Sequence, residues 1–134
     1  MKRFLVLFLL LGSILFVTNA QIQEPVQWTS KSEKVSETEY NLIFTATVEN
    51  EWHLYSSYIK PGGPMPTEIT YESMEGFELV GKIIESPEPE DGFDEDFQMQ
   101  VKYHSFGASF TQKIKLTADS PLSISGELSF QACN

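Results

Sequence analysis

Hydrophobic and polar residues alternate with a period of two over much of this chain. In EYNLIFTATVEN, residues 39–50, Tyr40, Leu42, Phe44, Ala46 and Val48 alternate with Asn41, Ile43, Thr45, Thr47 and Glu49. That is the spacing of a strand with one buried face. The pattern returns in ASFTQKIKLT, residues 108–117, where Phe110, Ile114 and Leu116 oppose Ser109, Thr111, Lys113 and Lys115. Shorter candidate strands are Val26–Ser30, Glu68–Tyr71, Phe77–Ile84, Gln98–Tyr103, Leu122–Ser125 and Glu127–Ala132. Between them stand turn and loop signals: KPGGP at 60–64, Pro66, Gly76, SPEPEDG at 86–92, Gly107 and ADSP at 118–121. No segment after residue 20 carries the 3.6-residue period of an amphipathic helix. Seven or eight short strands punctuated in this way predict an all-β antiparallel sandwich rather than a parallel α/β sheet.

The first twenty residues, MKRFLVLFLLLGSILFVTNA, belong to a different pattern. Lys2 and Arg3 precede an apolar run from Phe4 to Val17, and Thr18-Asn19-Ala20 offers a small-residue cleavage site. The run is shorter than the roughly 18 to 20 residues that span a bilayer. Residues 1–20 are therefore expected to be a helical signal peptide, leaving one exported domain over residues 21–134. That length suits a single β-sandwich with one core.

Charge narrows the partners. Without Lys2 and Arg3 the chain keeps seven basic residues against nineteen acidic ones, a formal charge of −12. Such a surface repels phosphate backbones and anionic headgroups, which argues against nucleic acid and peripheral membrane binding. It is suited to steering a basic protein partner.

Candidate chemistry is sparse. The acidic stretch EPEDGFDEDF, residues 88–97, sets six carboxylates around Phe93 and Phe97. Its spacing does not follow the alternating ligands of an EF-hand loop, so a solvated loop is the better reading than a calcium site. Exposed phenylalanines, by contrast, commonly cover something or meet a partner. His53 and His104 are far apart in sequence and make a poor zinc pair with one cysteine. No metal or cofactor is expected. Nucleophile elbows, His-Glu-x-x-His helices and phosphate-cradling glycine loops are all missing from the sequence. Trp52, Tyr55 and Tyr58 suit either core packing or a sugar-stacking platform.

The single cysteine, Cys133, lies one residue from the end, in GELSFQACN. Period two puts Leu128, Phe130 and Ala132 on one face of that strand and Glu127, Ser129, Gln131 and Cys133 on the other. The thiol is thus expected to point away from the main core, toward water or a covering loop.

Taken in order, WHLYSSYIKPGGPMPTEITY, FELVGKIIES, DGFDEDF, FTQKIKL and GELSFQAC resemble the N-terminal periplasmic domain of the thiol:disulfide interchange protein DsbD and its relatives in cytochrome c biogenesis. The resemblance spans nearly all of residues 21–134. It implies an immunoglobulin-like β-sandwich in which two cysteines near the C-terminal end cycle between dithiol and disulfide. Electrons would come from a membrane reductase and pass to periplasmic partners, among them thioredoxin-like disulfide isomerases and cytochrome c maturation proteins. Cys133 falls on the first family cysteine. The shielding aromatic of the family falls on Phe97, with Phe93 as the fallback. The family's second cysteine and the strand after it have no counterpart before Asn134, so the domain is expected to be truncated, short of its last strand. One thiol carries out only the first half of an exchange, since a second must resolve the mixed disulfide. The competing expectation is a non-catalytic exported sandwich that binds a protein or a glycan, its cysteine incidental.

Overall fold

The computed structural model describes residues 23–119 and 122–134, and the expected signal peptide lies outside them. Ten strands follow in chain order: β1 (Val26–Lys34), β2 (Glu39–Val48), β3 (His53–Tyr55), β4 (Glu68–Tyr71), β5 (Phe77–Ser86), β6 (Glu90–Asp94), β7 (Met99–His104), β8 (Gly107–Leu116), β9 (Gly126–Ser129) and β10 (Ala132–Cys133). They form two antiparallel four-stranded sheets, ordered β1-β2-β8-β5 and β10-β3-β7-β6, with β4 and β9 as a separate ribbon. This is the expected all-β architecture, consistent with a sandwich.

The two strongly alternating segments become the central strands of the first sheet. Tyr40 faces Ile114 and Phe44 faces Phe110 across β2 and β8, so each apolar row meets its counterpart on one face. Ala46, Val48, Ala108 and Phe110 are buried there and cluster with Val26 and with Leu54 of the second sheet. Trp28, Phe44, Trp52, Phe130 and Ala132 pack around that cluster. The Trp28 ring lies 5.6 Å from Phe110 and 5.4 Å from Phe130, tilted against both. Beyond this core the first sheet and the ribbon diverge around a cleft of about 660 Å³, whose walls include Leu42, Phe44, Ile69, Tyr71, Ile114 and Leu128.

A polar link also joins the sheets. Glu85 of β5 and His104 of β7 meet at 2.9 Å with side chains 3% and 1% exposed. The Ser56 hydroxyl donates to both Glu85 oxygens, and the Ser57 N–H donates to one at 2.6 Å. Every oxygen of this buried carboxylate therefore has a donor, as burial of a charge requires.

Four segments depart from the sequence reading. The stretch 86–92, read as turn signals, contains the start of β6, because pairing with β7 overrides the turn preference of its Asp and Gly. The short β3 lies among Trp52, Tyr55 and Tyr58, where the pattern predicts no strand. Leu122–Ser125, read as a strand, has no ladder partner among the described residues, and the strand predicted over Glu127–Ala132 divides into β9 and β10.

Candidate functional site

Cys133 enters the second sheet through β10, where Ala132 pairs with Leu54 and Cys133 with His53. Residues directly opposite in an antiparallel pair share a face, and successive residues alternate. Leu54 is fully buried in the main core, so Ala132 points inward and Cys133 outward. The same bookkeeping extends the outer face across β3, β7 and β6. It carries His53 and Tyr55, then Val101 and Tyr103, then Glu90, Gly92 and Asp94.

That outer face is not bare. Tyr55 is 0% exposed and Val101 4%, so a second, smaller packed layer lies over the sheet. The Pro61–Pro66 loop supplies part of the cover. Gly63 lies so close to Met99 that a Cβ there would stand well inside contact distance of the thioether sulfur. Gln131 anchors the loop by accepting the Met65 N–H at 2.7 Å, and the Thr67 hydroxyl donates to the Tyr55 carbonyl at 2.6 Å. Tyr103 lies over Gly92, where a Cβ would approach its ring to 2.7 Å. A hollow of about 450 Å³ remains, walled by His53, Phe93, Asp94, Val101, Tyr103 and Cys133 among others.

The turn between β6 and β7 closes one side of this hollow. Asp94 is its fastening: one carboxylate oxygen accepts the Tyr55 hydroxyl at 2.5 Å, and the other accepts the N–H groups of Asp96 and Phe97 at 3.0 and 3.1 Å. The Tyr55 bond holds the Asp94 carboxyl below its ordinary range, helped by the two backbone donors and nearby His53. Burial pushes the Tyr55 hydroxyl up, and its bond to Asp94 and the adjacent Cys133 add to that. Burial lowers the His53 ring, against the opposing pull of Asp94 and Glu90.

Among the residues singled out from sequence, Cys133, Phe93 and His53 border the same hollow. Phe97 sits in the turn, 37% exposed, its N–H bound to Asp94 and its side chain outside the hollow's wall. His53 and His104 occupy opposite faces of one sheet and share no site. Tyr55 is buried and Trp52 packs on the core, so neither offers a flat face to a sugar. The sequence reading missed the grouping of His53, Tyr55 and Asp94 around the thiol. The pair His53-x-Tyr55 has the spacing for one strand face, but three strand residues are too few for periodicity to declare itself.

The family model described as "Thiol:disulfide interchange protein DsbD, N-terminal" matches residues 20–134, most of the chain. No curated protein and no solved structure matches it.

Proposed function

We propose, from the premise that this chain belongs to the DsbD N-terminal domain family, that it is a thiol–disulfide exchange module acting through Cys133. The domain receives electrons from a membrane reductase and passes them to periplasmic disulfide-bearing proteins of the thioredoxin-like class. The leader over residues 1–20 delivers it to that compartment. The turn fastened by Asp94 shields the thiol, with Phe93 at the wall of the hollow and Phe97 placed in the turn to swing over it.

The observation that carries this reading is the outward placement of Cys133 in a hollow bordered by a fastened turn. A structural cysteine acting as a small hydrophobe belongs with Phe130 and Ala132 in the core. Cys133 instead is half-buried at the hollow on the outer face, away from that core. In the exchange its thiolate attacks one sulfur of the partner's disulfide. A new S–S bond forms as the old one breaks, and the partner's other sulfur leaves as a thiolate. A second thiol then resolves the mixed disulfide. It comes from a group other than the one cysteine of this sequence.

The test uses a thioredoxin-fold protein whose resolving cysteine is replaced by serine and whose remaining cysteine is activated as its thionitrobenzoate disulfide. The wild-type chain is expected to release thionitrobenzoate and form a covalent adduct that dithiothreitol cleaves, and Cys133→Ser to form none. Equal adduct yield from Cys133→Ser, or no adduct from wild type, overturns the assignment.

A further inference from the structure

Thiol exchange needs somewhere for the thiol proton to go, and the outer face offers few groups able to take it. His53 is the direct ladder partner of Cys133. Side chains so paired share a face with Cβ atoms about 4.5–5.5 Å apart. Both border the same hollow. The imidazole is held between two rings, edge-on to Tyr55 at 5.5 Å and tilted on Tyr103 at 4.8 Å. Among the described residues no hydrogen bond engages either of its ring nitrogens.

The charged and titratable neighbours come from every element packed here: Tyr55 on β3, Glu90 and Asp94 on β6, Tyr103 on β7, Cys133 on β10, and Glu95 and Asp96 in the turn. Three are already committed. Asp94 accepts three hydrogen bonds that hold the turn, and each stabilises its ionised form, which makes it a poor proton acceptor. The Tyr55 hydroxyl keeps its proton and donates its hydrogen bond to Asp94. Glu90 accepts the Ser105 hydroxyl at 2.7 Å.

We propose that His53 is the proton acceptor for Cys133 during exchange, a role that rests on the function proposed for Cys133 above. The ring takes the thiol proton as the sulfur attacks. The imidazolium then returns that proton to the partner sulfur released when the disulfide breaks, so proton and electron pair are both accounted for. Burial keeps the ring in its neutral, accepting form at neutral pH, while Asp94 and Glu90 stabilise the imidazolium once it forms.

The test is the rate of Cys133 alkylation by iodoacetamide between pH 5 and 10 in the wild-type chain and in His53→Gln. An ordinary thiol is about 3% ionised at pH 7, which sets a ceiling of roughly 30-fold on any gain there. His53→Gln is expected to react about tenfold more slowly than wild type at pH 7, the two converging near pH 10 where thiols ionise unaided. Superimposable profiles overturn the proposal. A second measurement leaves His53 in place: the ring proton resonance is followed against pH before and after Cys133 is capped as a methyl disulfide. A coupled pair titrates in two steps, so the free-thiol protein should show a second inflection that capping removes. A single, unchanged inflection in both forms also overturns it. Failure to form a mixed disulfide in the partner experiment sinks the exchange role. Loss of the pH signature alone sinks only the part given to His53.

Discussion

At the scale of single residues, Asp94 does the work of a clasp. Its carboxylate joins Tyr55, beneath the hollow, to the backbone of the turn that carries Phe97. Asp94→Ala removes three hydrogen bonds at once and leaves the Asp96 and Phe97 amides without a partner. Amide hydrogen exchange at those two positions is expected to speed up at least tenfold, an order of magnitude corresponding to about 1.4 kcal/mol of lost local protection. Unchanged exchange would mean that the turn holds its shape without the carboxylate. The direction of the Asp94 shift adds a pH dependence. A carboxyl depressed in the folded state fastens the turn above its ordinary range near 3.9 and releases it as pH falls through the lower folded value. This role was not legible in the sequence, where Asp94 is one of six carboxylates in ten residues and nothing separates it from its neighbours. The separation comes from a tyrosine 39 positions earlier, and only the pairing of β3 with β7 and β7 with β6 brings the two together.

At the scale of elements, legibility follows length and alternation. β4 falls where its pattern placed it, and β2 and β8 are long enough for period two to outweigh local preference. β6 was hidden because Asp and Gly favour turns, and β3 because three residues establish no period. The outward aim of Cys133 was readable from the alternation of Leu128, Phe130 and Ala132, since it rests on parity and survives the break between β9 and β10. What parity does not supply is the cover over the sheet, which depends on loop geometry. The β7–β8 hairpin makes one such demand explicit. Gly107 has φ +133°, and a Cβ there would lie far inside contact distance of the Ala46 carbonyl oxygen on the neighbouring strand. Gly107→Ala is expected to destabilise the fold by about 2 kcal/mol or more, because backbone strain and a backbone clash add. Its urea midpoint should fall accordingly, and a midpoint equal to wild type would show that β2 and β8 can part at this end without cost.

At the scale of the whole molecule, the question is what binds the face that carries the thiol to the rest of the fold. The main core does so through Leu54 and Phe110. The second link is Glu85, which gathers His104 of β7 and Ser56 and Ser57 just after β3, all from the sheet of Cys133, onto β5 of the other sheet. Burial alone would raise the Glu85 carboxyl, but the bonds from His104, Ser57 and Ser56 outweigh it and hold the group below its usual range. A pKa lower in the folded than in the unfolded state means that Glu85 adds stability above the unfolded value near 4.3. That stability is lost as pH falls through the folded value. Glu85→Gln leaves the donors facing a neutral amide, one end of which can accept and the other cannot. The variant is expected to lose about 2 kcal/mol at pH 7, the scale for hydrogen bonds to a buried ionised acceptor. Between pH 6 and pH 3 its urea midpoint should fall less than that of wild type, since one of the carboxylates that makes the fold acid-sensitive is gone. The residual slope then belongs to Asp94 and the remaining acids. Parallel acid limbs in the two proteins would place the pH sensitivity elsewhere and leave Glu85 as a packing contact between the sheets.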